Sequence, residues 1–302
     1  MIPASLRKRQ WLALPVVLCA ALLATLLTTQ LALLKTLENA AADIRIAALS
    51  PPMPQSKDIV IAGITEDTLK LFSYRSPVDR AFLATLLSDL QAKDVKAIGV
   101  DVLFDSPTED NKDAILQTTL AQLRVPVFVS YTNTPSIVDA DQLEYLNAFL
   151  PADKRAAANL ATDPFDGAVR WIFPGETDAG QPKSFARVAA EVAGVTTSPD
   201  LKPIAWRPAA SDGAEAFPMF PAHAIPLMPK DWFAGKIVLI GAILSITDRH
   251  RTPLAILDDG DKGMMPGVLI QAHAISQLLE QRVAPHISWP STLGMSLLLA
   301  LL

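Results

Sequence analysis

Asp101 stands between Val100 and Val102 in the run A-I-G-V-D-V-L-F (97–104), a carboxylate inside an otherwise apolar segment. Burying it without partners would be costly, so it needs a cation, a set of hydrogen-bond donors or a metal. The sequence offers Arg80, at the start of an amphipathic segment, and His250 or Arg251, in the tetrad Asp248-Arg249-His250-Arg251. Two readings stay open for Asp101: ligand recognition at one edge of a sheet, or a buried ion pair tying a strand to a loop. The tetrad also carries its own chemistry. Its guanidinium forks match a carboxylate or phosphate, which suits an anionic ligand. His250 adds a group that titrates near neutral pH. The bland alternative is a set of charges that orients a loop. Arg170, in G-A-V-R-W-I-F (167–173), either reaches a cleft or snorkels to solvent beside Trp171. The candidate ligand-binding residues are therefore Arg80, Asp101, Asp248, His250, Arg251 and Arg170.

Other chemistries find less support. Asp101, Asp105, Asp248, His250 and His273 are suitable metal ligands by type, but no pair has a recognisable ligand spacing. The acidic stretch D-D-G-D-K-G (258–263) lacks the spacing of a calcium loop, and Ile270 stands where the closing glutamate belongs. Neither a metal nor a cofactor is expected. The chain has no G-x-S-x-G elbow, no H-E-x-x-H, no G-x-G-x-x-G and no phosphate loop, so no catalytic residue is assigned and this segment is not expected to be an enzyme.

The elements that must hold these residues alternate along the chain. Residues 58–64 (D-I-V-I-A-G-I), 97–104, 125–131 and 237–240 read as strands buried on both faces, each a short β-branched or apolar run. Phe82, Leu83, Leu86, Leu87 and Leu90 give residues 78–91 one apolar helical face, and residues 112–123 read as a second helix. Pro266-Gly267 opens a third helical segment, M-P-G-V-L-I-Q-A-H-A-I-S-Q-L-L (265–279). A further strand at 167–173 and a short helix at 184–192 complete an α/β fold: a mostly parallel sheet flanked by helices. In such a sheet, loops leaving the carboxyl ends of strands meet ligands, and the tetrad lies in one of them. Residues 132–162 read as an irregular insertion. Residues 196–230 hold seven prolines and read as loop wrapping the domain rather than core.

The chain has 302 residues, of which 50% are hydrophobic and 19% charged, with mean hydropathy +0.29. That fits one sizeable polar-surfaced domain plus one or two membrane segments. A net charge of -5 without a basic stripe speaks against nucleic acid as a partner. Cys19 is alone, so no internal disulfide forms. Arg7, Lys8 and Arg9 precede residues 11–34, which carry no charge. As a helix this run would be about 36 Å long, enough to cross a bilayer core of roughly 30 Å. The basic cluster keeps residues 1–10 in the cytoplasm and sends residues 35–286 outside. A cleaved signal peptide, with Ala40-Ala41-Ala42 as its cleavage region, is the alternative. Residues 287–302 are again uncharged and read as the start of a second span, truncated by the end of the chain, with the return to the cytoplasm beyond it.

Taken in order, several motifs resemble the second family of CHASE-type extracellular sensor domains. They are D-I-V-I-A-G-I-T-E-D-T-L (58–69), P-V-D-R-A-F-L-A-T-L-L (77–87), A-I-G-V-D-V-L-F (97–104), D-G-A-V-R-W (166–171), G-K-I-V-L-I-G-A (235–242), D-R-H-R-T-P-L (248–254) and the segment 265–279. The resemblance implies an extracytoplasmic α/β sensor domain behind one N-terminal membrane helix, in the inner membrane of a bacterium. It also implies further membrane helices, a cytoplasmic nucleotide cyclase or, less often, a kinase as output, and a homodimer. The expected partners are therefore the membrane, a second copy of the chain and an unknown extracytoplasmic ligand or protein. The alternative function is an extracytoplasmic scaffold or partner-binding domain with no small ligand, using residues 132–162 and 196–230 as contact surfaces.

Overall fold

The computed structural model describes residues 15–20, 22–23, 32–176, 180–256, 264–285, 290–291, 294 and 298. Its centre is a six-stranded sheet in the order β4-β3-β2-β9-β1-β8. The strands are β1 (Ile59–Thr65), β2 (Ala97–Asp101), β3 (Val127–Tyr131), β4 (Arg155–Ala157), β8 (Met219–Pro221) and β9 (Ile237–Ile243). Every pairing between them is parallel, so all six carboxyl ends share one edge. The expected mostly parallel sheet is thus wholly parallel among its described pairs.

The unbroken apolar runs of β1 and β9 are explained by helices on both faces. On one face lie α2 (Arg80–Ala92), α3 (Asp110–Gln122) and α4 (Ala140–Phe149), which bury Leu83, Leu86, Leu87, Leu90, Leu116, Leu120, Leu146 and Phe149 over Val60, Ala62, Ile98, Val100 and Val238. On the other lie α5 (Phe185–Val192) and α6 (Gly267–Glu280), whose Phe185, Ala189, Val268, Ile270 and Ile275 cover Ile59, Ile61, Ala97, Ile237 and Leu239. Burying each such large side chain contributes about 1.5–3 kcal/mol relative to exposure, so the two apolar layers, not ion pairs, hold the sheet. Caps fix where the helices begin: the Asp79 carboxylate accepts the Phe82 N–H at 2.9 Å, and Ser184 Oγ accepts the Arg187 N–H.

Strand β9 decides the geometry of the carboxyl edge. It sits between β2 and β1, whose chains leave for the α2/α3 face, while β9 sends its own chain to α6 on the opposite face. Neighbouring loops that part in this way open a crevice at the strand ends. Close approach sharpens it. A Cβ on Gly241 would lie 2.6 Å from Val268 Cβ, so α6 packs against the end of β9 only because residue 241 has no side chain.

Smaller elements flank this frame. Strands β5 (Ala161–Thr162), β6 (Val169–Ile172) and β7 (Lys202–Pro203) form an antiparallel sheet, and β10 (Arg249–Arg251) pairs antiparallel with β11 (Met264–Pro266). An N-terminal helix, α1 (Ala32–Leu49), packs against the single turn Pro253–Ile256 that follows β10.

Two expectations about loops are corrected. Residues 132–162 are no irregular insertion: they supply α4 and the edge strand β4. Residues 196–230 are not merely a wrapping loop, since Ile204, Trp206 and Phe217 are buried in the core and β8 pairs with β1. Proline is compatible with that placement because β8 lies at the sheet edge, where a missing N–H costs no ladder bond. Among the described residues no helix is long and apolar enough to cross a membrane. The expected spans at 11–34 and 287–302 lie mostly outside the described residues, as does the acidic turn at 258–263.

Candidate functional site

The crevice at the carboxyl edge is a cleft of about 1110 Å³. Asp101, the last residue of β2, lines it opposite Gly241 of β9, so its side chain comes out of the sheet just where the two neighbouring loops separate. Pairing of Val100 with Val129 brings Ser130 alongside, and the Ser130 hydroxyl donates to Asp101 Oδ1 at 2.7 Å. Burial pushes the Asp101 carboxyl up to about 7, and the like charge of Asp248 pushes the same way; the Ser130 hydrogen bond and His250 only partly offset them.

Asp248 holds the opposite lip. It adopts a left-handed backbone with φ of 54°, and its carbonyl accepts the Gly267 N–H at 3.1 Å. Its carboxylate lies against the first turn of α6, so close that a Cβ on Gly267 would be 2.7 Å from Oδ2. Negative charge is favoured there by the amino end of a helix. His250 Nε2 lies 2.9 Å from Asp248 Oδ1, within reach to donate to that carboxylate. Glu66, in the single turn Glu66–Leu69 after β1, pairs with Arg75, and both line the cleft. Hydroxyl and amide groups of Thr132, Thr134, Asn159 and Gln271 and apolar side chains of Ile64, Leu103, Leu160 and Leu244 complete the walls.

Of the six residues expected to bind ligand, the structure brings Asp101, Asp248 and His250 together and places three elsewhere. Arg80 is fully buried between α2 and α3. Its guanidinium lies 4.4 Å from the Phe104 ring centroid, its Nη2 donates to the Ser106 carbonyl at 3.2 Å, and its Nε is 3.6 Å from Asp113 Oδ1. Nε and Nη1 find no hydrogen-bond acceptor, and the Phe104 and Phe149 rings take that role electrostatically. Arg80 is therefore not the partner of Asp101.

Arg170 is buried on β6, with Asp43 of α1, Asp166 and Asp163 around it at 2.7, 2.7 and 3.6 Å. The Arg170 hydrogen bond holds Asp166 down at about 2, and although burial pulls the arginine down, Asp166 and Asp43 outweigh it and raise the group. Asn39, also on α1, donates to Asp163 at 2.9 Å. Arg170 thus neither reaches the cleft nor snorkels; it fastens α1 to the domain. Arg251 is exposed on β10. Its neighbour Arg249 donates to the Leu244 and Met264 carbonyls and braces the loop.

Sequence reasoning missed Ser130, Gln271 and the Glu66–Arg75 pair. The first could have been found, because a serine in the apolar run V-F-V-S-Y repeats the pattern that singled out Asp101. Among the described residues no group of three or more His, Cys, Asp or Glu is placed to hold a metal ion.

Comparison with known proteins adds one match: the family described as the CHASE2 domain matches over residues 17–302. No curated protein and no solved structure matches the chain.

Proposed function

The chain belongs to the CHASE2 domain family, a family of sensory domains found in signalling proteins, and from that premise we propose that it is the input region of a membrane-bound bacterial signalling protein. In this reading residues 11–34 anchor the chain in the inner membrane and residues 35–286 lie on the outer side. Residues 287–302 begin the return, and a nucleotide cyclase or kinase beyond them is the output, working as a homodimer. The observation that carries the reading is the continuity from cleft to stem. The loop bearing Asp248 and His250 continues through β10 into the turn Pro253–Ile256, which packs on α1. Whatever moves the lip of the cleft therefore moves the helix that follows the first expected span.

Such coupling requires two arrangements of the loop with different affinity for the stimulus. Reporter fusions after Ser50, together with extension of the reading frame past Leu302, test the proposal. An inactive cytoplasmic reporter at Ser50 and a cyclase or kinase domain downstream are expected. A cytoplasmically active fusion, or a stop soon after Leu302, would overturn it.

A further inference from the structure

We infer that the cleft takes a small ligand bearing a protonated amine, with Asp101 as its anionic anchor and Asp248 beside it. The inference deepens the reading of the cleft as a sensory input site and rests on it.

The balance of charge points to a cation. Glu66 is neutralised by Arg75. That leaves two carboxylates, Asp101 and Asp248, facing one imidazole, His250. Arg80 is engaged on Asp113, Arg170 on Asp43 and Asp166 and Arg249 on a loop carbonyl, and the exposed Arg251 is not among the residues that line the cleft. The amino end of α6, the remaining place for an anion, already faces the Asp248 carboxylate.

The hydrogen-bond inventory points the same way. Asp101 Oδ1 accepts from Ser130, and Oδ2 takes no hydrogen bond from the described residues. Gln271 is 5% exposed and lines the cleft; its Nε2 donates at 3.4 Å to the Ala158 carbonyl, and its Oε1 takes no hydrogen bond from the described residues. An open carboxylate oxygen with an amide oxygen on the same cleft wall suits an ammonium group, which brings donors and no acceptor. The apolar walls, Leu103, Leu160 and Leu244 among them, suit the carbon chain that carries it.

The test uses the 302-residue chain in detergent micelles and three probes of equal length: 1,4-diaminobutane, 1,4-butanediol and succinate. Titration calorimetry and thermal melting on the unaltered protein should show binding and a raised melting temperature with the diamine, and at least tenfold weaker binding of the other two. Asp101→Asn, which keeps shape and removes charge, should weaken the diamine by about tenfold to a hundredfold, the range for losing a hydrogen bond to a charged group. If that variant does not melt cooperatively, Asp248→Asn takes its place, with a smaller loss expected. Succinate or butanediol binding as well as the diamine, absence of diamine binding, or undiminished binding by the variants overturns the inference. A succinate-selective cleft would do so while leaving the sensory reading intact; a reading frame that closes without an output domain would do the reverse.

Discussion

Arg170 and Asp101 are each a single charge set among apolar residues near a strand end, and the molecule surrounds them in opposite ways. Arg170 receives three carboxylates, one of them from a helix far away in the chain, and its own neighbour Asp166 is held in the charged form at about 2. Asp101 receives one hydroxyl and a second carboxylate, and its proton is held up to about 7. The first arrangement satisfies a charge so that two elements stay joined. The second leaves a charge partly unsatisfied beside a cleft, which is where perturbed groups signal function rather than architecture. An excess of partners marks the stem junction, and a shortage of them marks the cleft.

Removing the junction should have the largest effect. Arg170→Ala leaves Asp43, Asp163 and Asp166 buried without a cation, and breaking a buried pair from one side costs about 3–5 kcal/mol. Chemical denaturation should show a loss of that size, and limited proteolysis should release α1 first. A loss below about 1 kcal/mol would break the comparison, since Arg170 would then be no more than a surface-type pair.

Packing beside the cleft comes next. Gly241→Ala would place a methyl 2.6 Å from Val268 Cβ, where both β9 and α6 are fixed by their ladders. Overpacking of this kind costs about 1–3 kcal/mol, to be read from denaturation midpoints. A neutral result would mean that α6 slides freely over the end of β9.

The smallest effect has the opposite sign. The Asp101 carboxyl is raised from 3.8 to about 7 on folding. Between these values the folded state keeps a proton that the unfolded chain releases. Stability therefore falls as pH rises through this window and levels off above it. Asp101→Asn removes the ionisation, so the variant should gain on the unaltered protein from about pH 4 to pH 7. The gain should reach about 1–2 kcal/mol, discounted because the side chain borders the open cleft. His273 slopes the other way: burial among Trp206 and Phe217 lowers it to about 3, so its contribution is lost as pH falls below 6.5. Only the difference between variant and unaltered protein isolates Asp101. A variant less stable at pH 8 would contradict the assignment.

The parts of this picture legible in the sequence are those written in local pattern. Apolar runs at 58–64, 97–104, 125–131 and 237–240 announced buried strands; that Asp101 and Asp248–His250 share one edge required those strands to be parallel, and β2 and β9 are. Charge partners are not local, and the arginines show it. Arg80 meets Asp113 and the Phe104 ring, and Arg170 meets Asp43, residues whose proximity depends on the finished fold. An arginine beside an apolar segment reads the same whether it grips a ligand or a helix. The three-residue strands β4 and β8 were illegible for another reason: they are too short for a period to show, and they are strands only because β3 and β1 offer an open edge.

The claim that the cleft communicates with the stem is the most exposed to measurement. Leu37 on α1 and Ile115 on α3 are 59% and 48% exposed, so both accept spin labels after Cys19→Ser. Pulsed electron–electron distances between them, taken with and without 1,4-diaminobutane, should shift in the unaltered cleft and stay constant in Asp101→Asn. An unchanged distance distribution in a protein that calorimetry shows to be saturated would contradict the coupling of cleft to stem.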